Sequence, residues 1–180
     1  METRNVGKRF NHAFTRDDGR RFHGMIYAPP ASQTKSTTFI TARRILKVSD
    51  KCDVKEGDVF CLPNGTWGLC FDIQDGYFYE PNFHLFGLIT LDKELPWERK
   101  TFVEDPITHT LIQGEPEDMG KLKCVLEYVR QDEDSLKVPG SVYRLLCGKK
   151  IKEGDVLTDA DEKHVIKKVY NILGIYMAYV

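Results

Sequence analysis

Five histidines, five cysteines and a scatter of carboxylates are the groups with which this chain would do chemistry. A nucleophile needs a base beside it and a third group to orient that base. The histidines stand in unlike surroundings: His12 and His23 among basic residues, His84 after Asn82-Phe83, His109 between threonines, His164 after Lys163. No Gly-x-Ser-x-Gly elbow, Gly-rich phosphate loop or His-Glu-x-x-His pair occurs. The cysteines (Cys52, Cys61, Cys70, Cys124 and Cys147) are odd in number and lack Cys-x-x-Cys spacing. That predicts reduced, mostly buried thiols rather than a zinc site. Asp72, Asp75 and Glu80 can pair across a hairpin, but a glycosidase needs two carboxylates at a set separation in a cleft. These patterns predict no catalytic residue, no cofactor and no metal. A carboxylate-based enzyme on a β-scaffold remains an alternative.

One pattern repeats. Val54-Lys55-Glu56-Gly57-Asp58-Val59-Phe60 returns as Ile151-Lys152-Glu153-Gly154-Asp155-Val156-Leu157, a spacing of 97 positions from Gly57 to Gly154. Glycine permits a positive φ, and Glu and Asp suit the wet side of a turn. The apolar pair that follows suits a half-buried strand. The spacing predicts strand, tight turn, strand, twice over, as a duplicated β-unit would give. Gly57 and Gly154 meet a backbone requirement. Asp58 and Asp155 are expected to face water as replaceable turn formers.

The elements around these turns read as strands. Asn64-Gly65 between apolar runs is a strong hairpin signal. Trp67, Leu69, Phe71 and Ile73 alternate with Gly68, Cys70 and Asp72. Five strands over 45–91, about 8–12 residues apart, predict a mainly β fold of small antiparallel barrel or sandwich units with little helix. A C-terminal β-unit is expected over 122–180, packed against or within the same domain, with Tyr176 to Val180 tied into a sheet. Between the two, the prolines and acids of 92–121 suggest an extended acidic connecting segment with one short strand at 108–112.

Charge is uneven. Residues 1–47 carry ten basic residues against three acidic ones, a surplus of seven in a chain of net charge −1. The segment 1–38 reads as a basic N-terminal arm and loop, followed by a barrel or sandwich core over 39–91. Arg4, Lys8, Arg9, Arg16, Arg20, Arg21, Arg43 and Arg44 are the candidate contacts to a partner or to nucleic acid. No apolar run has membrane-spanning length, and the N-terminus lacks a signal-peptide core.

The segment Thr41 to Asp72, with Val54-Lys55-Glu56-Gly57-Asp58-Val59-Phe60 and Leu62-Pro63-Asn64-Gly65-Thr66-Trp67-Gly68-Leu69, resembles the small β-barrel proteins of the tailed-bacteriophage neck and tail. These are the head-completion, stopper and tail-connector proteins. The resemblance covers about 30 residues, and 142–180 more loosely; no functional residue transfers with it. It implies a non-enzymatic virion protein, made in the host cytoplasm, that forms a ring with copies of itself. Portal, adaptor or tail subunits would be its neighbours, with passing DNA a further contact. A nucleic-acid-binding barrel using the basic arm is the alternative.

Overall fold

The structure, a computed structural model, describes residues 12–28, 44–73, 82–129 and 139–180. Strands and turns make up the described residues, and no helix there is long and apolar enough to cross a membrane. The chain divides into two compact units. One is Met1–Leu91 with Leu173–Ile175, the other Asp92–Ile172 with Tyr176–Val180.

The first unit is a closed antiparallel barrel. Its strands are β1 (His12–Arg16), β2 (Arg21–Tyr27), β3 (Arg44–Ser49), β4 (Val59–Cys61), β5 (Trp67–Asp72) and β6 (Phe83–Leu91). They run in the order β1-β2-β3-β6-β5-β4, and β4 closes onto β1 through Thr15↔Cys61 and Arg16↔Phe60. Inside, Phe14, Phe22 and Phe60 pack ring to ring at 5.2–5.3 Å. Leu46, Val48, Cys70 and Leu88 complete the same core. The expectation of an arm over 1–38 is therefore corrected for 12–27. Alternation places Phe14 on β1 and Phe22 on β2 into the barrel, so these phenylalanines are core and not a docking arm. Residues 1–11 and the polar loop 31–38 lie outside the described residues.

On β5 the small residues face inward. A Cβ on Gly68 would meet Leu88, Leu62 and Phe60 at 2.9–3.3 Å, while Leu69 and Phe71 are buried on the outer side. A narrow barrel interior favours small side chains beside large ones. The bulky alternating set therefore forms a second apolar layer outside the barrel.

The second unit is a seven-stranded sheet. Its strands are β7 (Lys93–Arg99), β10 (Glu117–Tyr128), β11 (Tyr143–Cys147), β12 (Val156–Asp159), β13 (Glu162–Val165), β14 (Lys168–Ile172) and β15 (Ile175–Tyr179). A separate two-stranded hairpin, β8 (Phe102–Glu104) and β9 (Leu111–Gln113), rises between β7 and β10. The sheet order is β13-β12-β7-β10-β11-β15-β14. Just beyond β13, the Lys167 amide donates to the Tyr179 carbonyl at 2.8 Å, which curls the sheet toward closure. Leu95, Trp97, Leu122, Leu145, Leu157 and Ala178 lie in its core.

The expected extended connector over 92–121 is thus corrected as well. Leu95 and Trp97 point inward at alternate positions of β7, Leu95 facing Leu122 on β10 and Trp97 facing Leu157 on β12. Pro96 brings no N–H to the ladder, and the register shifts between Asp118 and Lys121, a bulge that accommodates it. The expected strand at 108–112 begins instead at Leu111. The carboxylate of Asp105 accepts the Ile107 and Thr108 amides and makes 105–110 a turn.

The two units share one strand order. In each, the first strand is flanked by the second and fourth, and the second is followed by the third and then the last. The repeated turn joins the third and fourth strands both times. The hairpin β8–β9 and strand β14 are the second unit's additions.

β15 lies between β11 and β14, and Met177, Ala178, Tyr179 and Val180 are all buried. The Val180 amide donates to the Tyr143 carbonyl at 3.1 Å, and its own carbonyl accepts the Val142 amide at 3.0 Å. Deleting residues 176–180 removes a central strand and is expected to abolish the second unit's cooperative unfolding transition. Native-state hydrogen exchange checks this: wild-type protection of β10 and β11 in the truncated chain would refute it.

Candidate interaction site

Each repeated turn is held by an arginine from the first strand of its own unit. In the first unit, the Lys55 amide donates to Asp58 Oδ2 at 2.8 Å, and Arg16 Nη2 donates to Asp58 Oδ1 at 3.0 Å. In the second, the Lys152 amide donates to Asp155 Oδ2 at 2.9 Å. Arg99 grips Asp155 with two nitrogens, Nε at 3.0 Å and Nη2 at 2.9 Å. Each arginine also donates to the carbonyl five residues before its aspartate: Arg16 to Asp53 at 3.3 Å, Arg99 to Lys150 at 3.2 Å. Gly57 and Gly154 sit at φ 84° and 88°, where a side chain is strained. Their amides donate across to Cys70 and Ile166 at 2.9 and 2.8 Å.

The expectation that both acids face water is corrected. Asp155 is 2% exposed and also accepts Trp97 Nε1 at 3.0 Å; Asp58 is 18% exposed. A buried carboxylate is tolerated only when its lone pairs are filled, and here arginine, amide and indole fill them. Burial pushes the Asp155 carboxyl up, but the hydrogen bonds from Arg99, the Lys152 amide and Trp97 outweigh it and hold it below the usual range. The turns are structural, as the sequence suggests, and their aspartates are internal anchors.

The candidate basic contacts do not gather. Arg16 is 8% exposed and serves its turn, which corrects its place among partner contacts. Arg20 pairs with Asp18 and Asp53 at 2.7 and 2.5 Å. Arg21 and Arg44 are exposed, but they begin antiparallel neighbours β2 and β3 and so lie at opposite ends of that pair. Arg4, Lys8, Arg9 and Arg43 lie outside the described residues, as do Asp75 and Glu80.

Nor do the other titratable groups converge. Burial pushes the Cys124 and Cys147 thiols up to about 12, and Cys70 well above its ordinary value, so these thiols stay protonated and inert. His164 is buried against the Tyr143 ring at 5.5 Å. His109 pairs with Glu104 at 2.8 Å on the surface. No group of three or more metal-ligating side chains forms among the described residues.

What stands out is the β8–β9 hairpin, where every residue of both strands is exposed. Direct pairing places Phe102 beside Gln113 and Glu104 beside Leu111 on one face, and Val103 beside Ile112 on the other. Both faces therefore carry exposed apolar side chains, Phe102 (63%) and Leu111 (72%) beside Gln113 and Glu104 on one and Val103 and Ile112 on the other. Ile107, at the tip, is 87% exposed. The tip is built firmly: Asp105 accepts two amides, its own amide donates to Thr110, and its carbonyl accepts the His109 amide. Thr101 Oγ1, donating to the Glu115 carbonyl at 2.5 Å, closes the base. Sequence reading placed a strand near here and missed the surface. The signal available was Phe102-Val103 and Leu111-Ile112 flanking an Asp-Pro turn.

Asp155→Asn is expected to cost about 3 kcal/mol, because it replaces a buried carboxylate that accepts from Arg99, the Lys152 amide and Trp97 with an amide that cannot satisfy all of those donors. Asp58→Asn, at a wetter site, is expected to cost about 1 kcal/mol. Urea unfolding of both variants measures the difference, and equal costs would refute the ranking. Because the folded Asp155 carboxyl sits below its unfolded value, its contribution is complete above about pH 4 and fades as pH falls through the folded value. Asp155→Asn is accordingly expected to flatten the acid limb of the stability curve. Compared with family models, curated proteins and solved structures, the chain matches none.

Proposed function

We propose that the protein is a non-enzymatic structural subunit of a tailed-phage virion, in the head–tail connector, neck or tail, assembled in the host cytoplasm into a ring of copies of itself. One observation carries this reading: a preorganised hairpin with exposed apolar side chains on both faces and at its tip projects from a small β-unit. A monomeric protein gains nothing from such an element, since exposed apolar patches mark interaction surfaces. A hairpin with apolar side chains on two faces suits insertion between neighbours better than lying flat on one.

Other features support the same role. Two β-units of one topology are each cornered by an internal ion pair, a construction suited to mechanical work. Portal, adaptor or tail subunits are the expected neighbours. The dispersal of Arg21 and Arg44, with Arg16 and Arg20 engaged internally, weighs against a nucleic-acid groove among the described residues. Passing DNA is at most a secondary contact.

Particles of a phage that carries this gene supply the test. Mass spectrometry of purified virions is expected to find the protein in several copies per particle. A nonsense mutant is expected to accumulate unjoined heads and tails. Joined, infectious particles that lack the protein would overturn the reading.

A further inference from the structure

A second feature of the same unit matches the hairpin. A cleft of about 200 Å³ opens beside the hairpin's base, lined by Pro116, Val156 and Val165 and rimmed by Lys100, Lys163 and Glu98. Its walls are almost wholly apolar, and Val165 is itself well exposed. A space of roughly 150 Å³ lined by apolar groups holds a benzene, so this one has room for a branched aliphatic side chain. We propose that Ile107, at the hairpin tip of one copy, docks in this cleft of a second copy. The inference rests on the reading of the protein as a self-assembling ring subunit and names the contact that would build it.

Three observations commit the occupant to a second copy. The first is shape: Ile107 is the most exposed large apolar residue described, held on a tip that Asp105 has already ordered. A preordered knob loses little entropy on binding. The second is charge. Residues 102–113 carry Glu104 and Asp105 and no Lys or Arg, a charge of −2 with His109 neutral. The cleft carries Lys100 and Lys163 against Glu98, a charge of +1. Neither lysine has an ion-pair partner among the described residues. An acidic tip entering a lysine-rimmed pocket is favoured at close range. The third is reach. Gln113 lines the cleft while Ile107 stands at the far end of the same hairpin, six residues on, up to about 20 Å away along extended chain. Pairing of Glu104 with Leu111 keeps the arm straight. Ile107 does not line its own copy's cleft and stands 87% exposed, which leaves knob and cleft both open to meet between molecules. Because the two are different patches, the contact is heterologous and propagates from copy to copy, closing into a ring or running on as a filament.

Sedimentation velocity of the full-length protein, across a concentration series, tests the proposal. The variants are Ile107→Asp, which spoils the knob, and Val165→Asp, which spoils the cleft; thermal unfolding checks that both fold. Lys163→Glu serves as the cleft variant if Val165→Asp does not fold. Wild type is expected to form species larger than a dimer. Each variant alone is expected to associate at least about thirtyfold more weakly, the scale of a central interface residue. Mixed one to one, the variants are expected to form a heterodimer and stop there, because only one intact knob and one intact cleft remain. Variants that assemble as wild type does would overturn the contact and leave the ring reading standing. A wild type that stays monomeric at the highest concentration reached would overturn the contact too. The virion composition test then decides the ring reading separately. A mixture no more associated than either variant alone would likewise overturn the pairing.

Discussion

A carboxylate gripped by an arginine from a distant strand fixes the corner on which each unit turns. Arg16 and Asp58 are 42 residues apart, Arg99 and Asp155 are 56. The contact therefore joins the first strand of a unit to the turn before its fourth, and the whole ladder between depends on it. Taking a carboxylate and a guanidinium out of water is costly, and only near-complete hydrogen bonding offsets the loss. Both sites meet that demand with the same parts: an amide three residues before the aspartate, and a carbonyl five residues before it for the arginine's spare nitrogen. They differ in depth. On the same face, two residues before the arginine, stand Phe14 in one unit and Trp97 in the other. Only the indole can donate, and only Asp155 is fully enclosed. The ladders differ too: Arg16 faces Phe60, whereas Trp97 rather than Arg99 faces Leu157.

That shared corner gives the duplication its physical content. Similar turns occur wherever a chain must reverse, so a repeated sequence of seven residues says little by itself. A repeated strand order, with a matching ion pair and matching amide and carbonyl partners, says much more. Once the common plan is removed, what distinguishes the second unit is the β8–β9 hairpin, strand β14 and an incompletely closed ladder. A repeat supplies stability by a proven route, and the insertions are then free to take on binding.

Much of this plan was legible in the residues. Alternation and the Asn64-Gly65 signal marked the strands, and the positive φ at Gly57 and Gly154 follows from the turn chemistry. Other features escaped for physical reasons. The basic, aromatic-rich start looked like an arm because its charges drew attention from Phe14 and Phe22, whose spacing fits inward-facing strand positions. The prolines of 92–121 suggested a connector, yet Pro96 occupies an outward position beside a bulge where no N–H is missed. The burial of Asp155 could not be read at all, since it depends on Arg99 and Trp97 arriving from 56 and 58 positions away. Long-range pairing of that kind leaves no local trace.

The hairpin poses the opposite problem from the turns. Nothing in its own unit covers it. A two-stranded hairpin is marginal alone in water, and this one has three ladder pairs, two strand edges outside the main sheet, and its apolar side chains in solvent. Such an element invites indiscriminate pairing, which soluble proteins normally suppress with charge, bulges or cover. Here suppression is partial. Glu104 and Asp105 lie at the tip, and Pro106 follows where strand pairing would otherwise continue. These residues blunt the end of the ladder while leaving Phe102, Val103, Leu111 and Ile112 in place. Like charges would oppose stacking of one such acid-tipped hairpin on another, and the proposed docking would set it instead in a lysine-rimmed, apolar recess. Its stability in isolation and its selectivity for a partner therefore come from the same few residues. The hydrogen bonds that Asp105 and Thr101 make within the hairpin hold its tip and base without a partner, so an interface built on it loses little to ordering.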